Sequence, residues 1–372
     1  MKVAVIGWEL PPAFSGGLGI HTYNVFSILG KIIPVDIYIP DMGYSFPHYP
    51  FNVRTVKIKS GISGNVYSHV TNFIDAVNDY NERVVENFKP DGVALVHCHD
   101  WITFRAGIEI KKRYKIPLVV TFHSTEFDRS AYFNPQEHIM KIEAEGAMEA
   151  DAVITVSNLT RDGVAQNYHI NPDKIITVYN GVKASAYAPE QVLNRKRQVL
   201  YFGRVTSQKG PKFFMEMARK ALEYEDNIRF VMAGTGDLLD DMKRYAEYYN
   251  MDDKFHFPGF VEFHRAIEYY KSSSVFVIPS VSEPFGITVL ESMVSGTPVV
   301  MSRSTGVGEA INNALKTDFW DTDVMSSYVV SILNHGSLMN TLSIYGKYEG
   351  MSFTWEKSAM KTLEVYRSVW KI

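Results

Sequence analysis

The sequence predicts an α/β fold made of two doubly wound domains. Short apolar runs alternate with helix-like stretches along the first half, and the alternation starts again after a polar, poorly periodic passage near residues 183–197. Nearly continuous apolar runs are typical of parallel strands that are buried on both faces. A chain of 372 residues is also too long for one hydrophobic core of ordinary size.

The first half contains seven candidate strands and five candidate helices. The strands are "KVAVIG", "PVDIYIP", "VRTVKIK", "VALVHCH", "PLVVTFH", "AVITVS" and "KIITVYNG". The helices are Leu18–Gly30, Asn72–Phe88, Thr103–Tyr114, Pro135–Glu149 and Leu159–Tyr168. This alternation predicts a first Rossmann-like domain over residues 1–183.

The second half repeats the pattern with five strands and four helices. The strands are "QVLYFG", "IRFVMAG", "KFHFPG", "VFVIPS" and "PVVMS". The helices are Pro211–Tyr224, Leu238–Tyr249, Phe263–Ser272 and Ile287–Ser295. They predict a second Rossmann-like domain over residues 184–352. Residues 353–372 carry apolar side chains at helical spacing, and we expect an amphipathic helix that crosses back to the first domain.

Composition excludes several classes of protein. A formal charge of −3 argues against a nucleic-acid partner held by a broad basic surface. Cys98 is the only cysteine, so an internal disulfide and a metal site of several thiolates are excluded, and a reducing, cytoplasmic location is expected. No apolar run reaches the roughly 18 residues of a membrane span, so we expect no integral membrane segment.

Loops that follow the strands carry the candidate chemistry of the first half, because ligands of doubly wound sheets bind at the carboxyl ends of the strands. Gly16 and Gly17 precede a helix and fit either a flexible turn or an anion site. His97 and His99 are two residues apart and could share a metal, but a third ligand would be needed. The interpretation we favour is that Asp100 binds a hydroxylated substrate. His123, at the end of the next strand, fits a structural or a functional role.

Two pairs of charged residues follow strands of the second half. Arg204 and Lys209 follow "YFG" and precede a helix, which suits a diphosphate, although a solvated basic turn has the same pattern. "SEPFGITVLE" places Glu283 in a loop and Glu291 inside the following helix. A loop acid reaches sugar hydroxyls and a helix acid reaches a ribose diol, whereas helix capping and solvent exposure are the simpler alternatives.

Taken together, these motifs resemble the donor-site signature of retaining GT-B glycosyltransferases. The resemblance lies in "GRVTSQKG" and in the Glu-x7-Glu stretch "SEPFGITVLE", and "SGGLG", "HCHDW", "TFHSTEFDR" and "VYNGV" extend it over nearly the whole chain. The opening "WELPP…GGLG" and "HCHDW" are most similar to the glycogen- and starch-synthase branch, including its short archaeal and bacterial members. The resemblance implies two Rossmann-like domains that face a central cleft.

The resemblance also implies a role for each donor-binding residue. Arg204 and Lys209 would neutralise the leaving diphosphate. Glu283 would contact the donor sugar near the reacting carbon, and Glu291 would bind the ribose. Backbone amides would hold the sugar hydroxyls and the phosphate, namely those of Phe285, Gly286 and Ile287.

In the first domain, the resemblance places Gly16 and Gly17 near the donor phosphates. His123 would hold the donor sugar and the cationic transition state, with Asp100 nearby on the acceptor side. Bacterial glycogen synthases carry Lys-Thr-Gly-Gly in the glycine loop, whereas this chain has Phe14-Ser15 before the two glycines. The chain is also shorter than those synthases, mostly within the first domain.

The expected activity is retaining transfer of a hexose, glucose in the first place, from ADP- or UDP-glucose to an α-glucan. No metal and no other cofactor is expected, because arginine, lysine and helix N-termini can supply the positive charge. An alternative keeps the donor and replaces the glucan by a small sugar, a sugar phosphate or a lipid-linked sugar. A glycosidase needs two acids that flank one bond and leaves Arg204 and Lys209 unexplained, as does a sugar-binding protein without chemistry.

Overall fold

The chain divides into two compact units, which we describe separately. The computed structural model describes residues 1–13, 16–59, 73–187 and 195–370, with the backbone alone for residue 263. Unit 1 comprises Met1–Glu126, Pro135–Asn180 and Trp355–Ile372, and unit 2 comprises Phe127–Asn134 and Gly181–Thr354. Asn72 and residues 188–194 of the predicted linker lie outside the described residues.

Unit 1 contains a seven-stranded parallel sheet. Its strands are β1 (Lys2–Ile6), β2 (Val35–Pro40), β3 (Asn52–Val56), β4 (Val93–His99), β5 (Leu118–Phe122), β6 (Ala152–Thr155) and β7 (Ile175–Thr177). Their order in the sheet is β3-β2-β1-β4-β5-β6-β7. All four residues from Val3 to Ile6 are fully buried, which is why the central strand reads as a continuous apolar run. The seven predicted strands are confirmed.

Seven helices of unit 1 connect and cover these strands. They are α1 (Gly17–Leu29), α2 (Phe73–Asn87), α3 (Trp101–Tyr114), α4 (Glu126–Arg129), α5 (Glu137–Glu149), α6 (Asn158–Tyr168) and, at the end of the chain, α13 (Trp355–Val369). Only Glu126 of the short α4 belongs to unit 1. The five helices predicted for the first half begin and end within about two residues of the observed bounds, the usual uncertainty of helix ends.

The final helix belongs to unit 1, although it follows unit 2 in the sequence. α13 packs against α1, and its side chains Trp355, Leu363 and Tyr366 are buried. Inside the unit, the Tyr366 hydroxyl lies 2.6 Å from Nδ1 of His97 on β4. The helix therefore contributes both apolar area and polar contacts to unit 1.

Unit 2 contains a six-stranded parallel sheet. Its strands are β8 (Lys196–Phe202), β9 (Arg229–Ala233), β10 (Phe255–Gly259), β11 (Ser273–Ile278), β12 (Val299–Ser302) and β13 (Leu315–Thr317). Its order is β10-β9-β8-β11-β12-β13. The helices are α7 (Pro211–Tyr224), α8 (Leu239–Tyr248), α9 (Phe263–Ser272), α10 (Ile287–Val294), α11 (Thr322–Asn334) and α12 (Gly336–Met351).

Three elements of unit 2 are absent from the sequence prediction, namely β13, α11 and α12. β13 is three residues long and, among the described strands, pairs only with β12 at the sheet edge, so its apolar run is too short to stand out. In α11, Met325, Val329 and Ile332 contribute to the core at helical spacing. The sequence also assigns residues 127–134 to the first domain, whereas they pack within unit 2.

Candidate functional site

The predicted donor residues of unit 2 follow two strands that lie side by side. β8 and β11 are parallel neighbours in the middle of the sheet, and the strand order reverses between them. In doubly wound sheets this switch point is where ligands bind. Arg204 and Lys209 follow β8, and Glu283 follows β11, so all three side chains start from the same edge of the sheet.

Lys209 and Glu283 form an ion pair at this edge. Nζ of Lys209 lies 2.5 Å from Oε2 of Glu283, and the two side chains are 19% and 10% exposed. The guanidinium of Arg204 donates to Oε1 of Gln208 at 3.3 Å, and the hydroxyl of Tyr201 donates to the Arg204 carbonyl at 2.7 Å. The arrangement holds two cations and one acid within one short stretch of the sheet edge.

The loop that carries Glu283 is fixed by the segment after β12. The Glu283 N–H donates to the carbonyl of Ser304 at 3.0 Å, and the Gly306 N–H donates to the Glu283 carbonyl at 2.8 Å. The Val307 N–H donates to the Phe285 carbonyl at 2.7 Å. Three backbone hydrogen bonds to the three loop residues from Glu283 to Phe285 make this loop a rigid support.

Gly286 is the N-cap of α10 and has a backbone that favours glycine. Its φ is +97°, and a Cβ there would lie 3.0 Å from Cγ2 of Thr305. Ile287 begins α10, so its N–H has no carbonyl one turn earlier in the helix to accept it. The turn therefore presents the first N–H groups of α10 at the same sheet edge as Lys209, as the sequence predicts.

Glu291 lies inside α10 and is buried, with 8% of its surface exposed. The hydroxyl of Tyr270 donates to its Oε2 at 3.0 Å, and the hydroxyl of Tyr187 donates a second hydrogen bond to the carboxylate. Burial raises the pKa of Glu291, and the two hydroxyl donors oppose that rise. The simpler alternative, a solvent-exposed helix acid, is wrong.

The sequence analysis does not identify Tyr187 or Tyr270. Tyr270 is on α9, and Tyr187 ends a 3-10 turn at Ala184–Tyr187. Neither residue belongs to a glycine loop or to a charged motif, so only packing shows that they meet Glu291. In α9, the spacing of the apolar residues, which polar residues interrupt, is the local signal that Tyr270 faces the core.

The segment 127–134 brings a further acid to the donor loop of unit 2. The hydroxyl of Ser282 donates to Oδ1 of Asp128 at 2.5 Å, and both residues are buried, at 2% and 7% exposure. Ser282 directly precedes Glu283 in the loop. Asp128 therefore supports that loop from a part of the sequence more than 150 residues away, a contact that no local pattern predicts.

In unit 1, Asp100 and His123 are joined through the backbone. Asp100 follows β4 as the N-cap of α3 with a φ of +58°, which is uncommon for a residue with a side chain. Its Oδ1 accepts the N–H of His123 at 2.7 Å. The structure thus brings together the two strand-end residues that the sequence places on adjacent strands, and it shows the carboxylate engaged with a backbone N–H.

The imidazole of His123, which is partly buried, clusters with the buried side chains of His99 and His21. Nε2 of His123 lies 2.9 Å from Nδ1 of His99, and Nδ1 of His21 lies 2.7 Å from Oδ1 of Asn180. Burial lowers the pKa of His123 to about 3 and that of His21 to about 3. These rings are therefore neutral near pH 7 and can act as hydrogen-bond donors and acceptors but not as cations.

The same cluster is the group with metal-ligand spacing among the described residues. One nitrogen from each of His21, His99 and His123 lies within 4.8 Å of the others, and Nε2 of His99 is buried without a hydrogen-bond partner. The pair suggested by the sequence, His97 with His99, is wrong as a ligand pair. Both nitrogens of His97 are used, by Tyr366 at 2.6 Å and by Thr121 at 2.7 Å.

The glycine loop of unit 1 precedes α1 with Gly16 as N-cap and Gly17 as first helical residue. The backbone of Gly16 is extended, and a Cβ added there would meet no atom of the described residues within 4 Å. The buried Glu9 accepts the N–H of Gly19 at 3.2 Å. An acid of the chain thus already lies at this helix N-terminus. Phe14 and Ser15 lie outside the described residues.

Family models match both halves of the chain. The model "Glycosyltransferase Family 4" matches residues 15–186, and "Glycosyl transferases group 1" matches residues 186–346. An uncharacterised glycosyltransferase of Methanocaldococcus jannaschii is 29% identical over 99% of this chain and 98% of its own length. The chain is a glycosyltransferase. The prediction of its enzyme class is confirmed.

Two further relatives of the enzyme carry more specific names. A glycogen synthase of Mycobacterium tuberculosis is 24% identical over 98% of this chain and 94% of its own length. The α-maltose-1-phosphate synthase of Mycolicibacterium smegmatis is 26% identical over 99% of this chain and 100% of its own length. The chain is therefore similar over nearly its whole length to enzymes that are named for different products.

Solved structures confirm the two-domain GT-B fold. The sucrose-phosphate synthase of Thermosynechococcus elongatus superposes with a TM-score of 0.83 at 20% identity, over 99% of this chain and 98% of that one. Starch synthase IV of Arabidopsis thaliana, bound to ADP and acarbose, gives 0.75 at 15% identity over 99% of both chains. Anabaena HepE in complex with UDP-glucose gives 0.78 at 14% identity over 99% and 100%.

Among the helices of the described residues, none combines the length and the apolar character that crossing a bilayer requires.

Proposed function

We propose that the enzyme transfers a hexose, taken here as glucose, from ADP- or UDP-glucose to an α-glucan with retention of configuration. The observation that carries the proposal is the meeting of Lys209 with Glu283 beside Arg204 and the α10 N-terminus. A glycosidase or a sugar-binding protein has no use for two cations at this edge. Starch synthase IV and HepE, which share the fold, have structures with ADP and with UDP-glucose bound.

The cations and the helix N-terminus supply the charge that a leaving diphosphate requires. Arg204 binds oxygen pairs through its planar fork and Lys209 acts as a point charge. The amides of Phe285, Gly286 and Ile287 add donors that are fixed before the reaction begins, which is the main source of electrostatic catalysis. We propose that these groups stabilise the departing phosphate without a metal ion and that no other cofactor takes part.

Retention follows from the side on which the acceptor enters. The bond from the anomeric carbon to the phosphate oxygen breaks while the acceptor oxygen approaches on the same face, and the leaving phosphate takes the acceptor proton. Glu283 then lies beside the positively charged sugar, which we propose as its role. Glu291, held at the far end of the α10 turn, binds the ribose.

Unit 1 supplies His123 as a neutral hydrogen-bond partner for the sugar. An imidazole with a pKa of about 3 remains uncharged at pH 7, so it contributes geometry and polarity without repelling a cationic sugar. Oδ1 of Asp100 accepts the His123 N–H, and we therefore propose that Asp100 acts chiefly by positioning His123. A Cβ at Gly16 would meet no atom of the described residues within 4 Å, and we propose that the donor phosphates approach the backbone of Gly16 and Gly17.

Release of nucleotide from a panel of ADP-, UDP- and GDP-sugars, with and without a glucan primer, tests the proposal. We expect glucan-dependent release from a glucose donor, and proton NMR of the first product should show the α-anomer. The double variant Arg204→Ala/Lys209→Ala should lose nucleotide binding by about 100-fold or more, since each charge-assisted hydrogen bond contributes roughly 1.5–3 kcal/mol. Lys212→Ala, an exposed lysine on α7, is the matched control.

Three outcomes would overturn parts of this proposal. Binding of none of the nucleotide sugars would overturn the donor assignment, as would full nucleotide binding by the double variant. A β-configured product would overturn retention while leaving the donor site in place.

A second candidate keeps the donor and changes the acceptor to a small sugar, a sugar phosphate or a lipid-linked sugar. The similarity to an enzyme named for α-maltose-1-phosphate synthesis, at 26% identity, favours a sugar-phosphate acceptor as strongly as the glycogen synthase at 24% favours a glucan. Nucleotide release that requires glucose 1-phosphate rather than the primer would establish this alternative.

A further inference from the structure

Glu291 is held by two tyrosines that come from separate parts of unit 2. Tyr270 is on α9, Glu291 is on α10, and Tyr187 ends the 3-10 turn at the start of the unit. The hydroxyl of Tyr270 is 3.0 Å from Oε2 of Glu291, and Tyr187 donates to the same carboxylate. Three segments therefore converge on one buried acid.

Tyr270 is fixed at both ends, so its hydroxyl has little freedom to move. Its ring is fully buried and packs against Phe202 and Phe276, with centroids 5.4 Å and 5.6 Å away. Its backbone carbonyl accepts the hydroxyl of Thr297 at 2.6 Å. A side chain locked in this way imposes its geometry on the group that it contacts.

The carboxylate retains acceptor capacity beyond the two tyrosines. An ionised carboxylate has about four acceptor positions, and two hydroxyl donors leave about half of them unused by this pair. Because 8% of Glu291 is exposed, a ligand can reach it. Its partner must donate hydrogen bonds, which a sugar diol does and a phosphate does not.

We infer that Tyr187 and Tyr270 are positioning residues that orient the Glu291 carboxylate toward the ribose hydroxyls of the donor nucleotide. This inference rests on the proposed function, because it assumes that a nucleotide is the ligand of unit 2. The tyrosines also favour the ionised acid, since their hydroxyls oppose the upward shift that burial gives the pKa of Glu291. Without them, Glu291 would lose both its orientation and part of its tendency to accept.

The test compares affinities for ADP and UDP with those for their 2′-deoxy and 3′-deoxy counterparts by calorimetry. The wild-type enzyme should bind at least one of the two ribonucleoside diphosphates about 10-fold more tightly than a deoxy counterpart, the typical effect of one hydrogen bond to a charged group. Tyr270→Phe and Tyr187→Phe should each bring the ratio of the two affinities closer to one. The affinity for the deoxynucleotide should change little. In a Glu291→Gln background, neither substitution should change the preference further.

Tyr168→Phe is the matched control, because the Tyr168 hydroxyl donates to the buried carboxylate of Glu143 in unit 1. It should lower the melting temperature and leave the ribose preference unchanged. If Tyr270→Phe and Tyr187→Phe behave in the same way, the tyrosines are structural and the inference is overturned. Absence of nucleotide binding in the wild type overturns the proposed function itself, which is a different result.

If either tyrosine variant fails to fold, the other still decides the matter. A preserved ribose preference in the folded single variant argues against positioning, and a lost preference supports it.

Discussion

Nζ of Lys209 lies 2.5 Å from Oε2 of Glu283, although 74 residues separate the two in the sequence. The ion pair links the loop after β8 to the loop after β11, the two central strands of unit 2. In the proposed reaction, Lys209 serves the leaving phosphate and Glu283 serves the sugar. The positive charge of Lys209, which would hold the leaving phosphate, is thus partly neutralised by Glu283, which would stabilise the cationic sugar.

Glu283→Gln should separate nucleotide affinity from turnover. Loss of the negative charge leaves Lys209 fully available to a diphosphate, so ADP or UDP should bind about 3- to 10-fold more tightly, a gain on the order of 1 kcal/mol. Transfer should fall by about 100-fold, the usual cost of losing one preorganised electrostatic group. Calorimetry and initial rates measure the two effects.

Glu223→Gln is the control for the charge change, since Glu223 is exposed and pairs with Arg219 on α7. Weaker nucleotide binding by Glu283→Gln would show that the acid does not compete with phosphate for Lys209.

Ser282→Ala should weaken the donor loop through its contact with Asp128. The substitution removes the donor to a buried carboxylate, which lies 2.5 Å from the serine oxygen. We expect the free energy of unfolding to fall by about 1.5–3 kcal/mol, the contribution of one hydrogen bond to a charged group, together with a lower kcat because Glu283 is the next residue. Chemical denaturation and steady-state kinetics measure the two changes.

Ser358→Ala provides the comparison in unit 1, where the Ser358 hydroxyl donates to the Tyr179 carbonyl at 2.6 Å. It should lower stability without changing kcat. Unchanged kcat in Ser282→Ala would mean that the loop keeps its position without Asp128.

Gly286→Ala should damage the turn between the two glutamates. A residue with a Cβ pays about 1–2 kcal/mol for left-handed backbone, and here the new atom would also lie 3.0 Å from Thr305. The melting temperature should fall and the donor KM should rise, because the first amides of α10 shift. A thermal scan and donor titrations test both.

Gly336→Ala is the matched control, since a Cβ at the start of α12 would meet none of the described atoms within 4 Å. It should be neutral or stabilising. If Gly286→Ala had no effect on KM, the amides at the α10 N-terminus would not be donor ligands.

Glu291→Gln should stabilise the enzyme more at neutral pH than at acid pH. Burial raises the pKa of Glu291 in the folded chain above its usual 4.5. The unfolded chain therefore releases this proton first, and stability is lost as pH rises from 4.5 through the folded pKa. Glutamine has no proton to release, so the variant escapes this loss.

This prediction is checked by the melting temperatures of the wild type and of Glu291→Gln, measured from roughly pH 4.5 to pH 8. Glu268→Gln, an exposed acid on α9, should follow the wild-type curve. A constant difference between Glu291→Gln and wild type across the range would show that Glu291 titrates normally.

The strand and helix pattern, and with it the placing of Arg204, Lys209 and Glu283, could be predicted from sequence. Parallel strands buried on both faces appear as apolar runs, and the carboxyl ends of such strands meet at one edge of the sheet. The local sequence alone therefore predicts that a polar residue just after an apolar run lies at the carboxyl edge of the sheet. The three-residue edge strand β13 escaped because it is too short to show a pattern.

Only the tertiary structure decided which side chains contact and orient the site residues. Tyr187 and Tyr270 meet Glu291, and Asp128 meets Ser282, through packing between segments that are far apart in sequence. His21 joins His99 and His123 in the same way, while His97 turns to Tyr366. Periodicity reports which face of an element is buried, but the partner across that face depends on the packing of the whole unit. The sequence thus determined where the chemistry lies, and long-range packing determined how it is oriented.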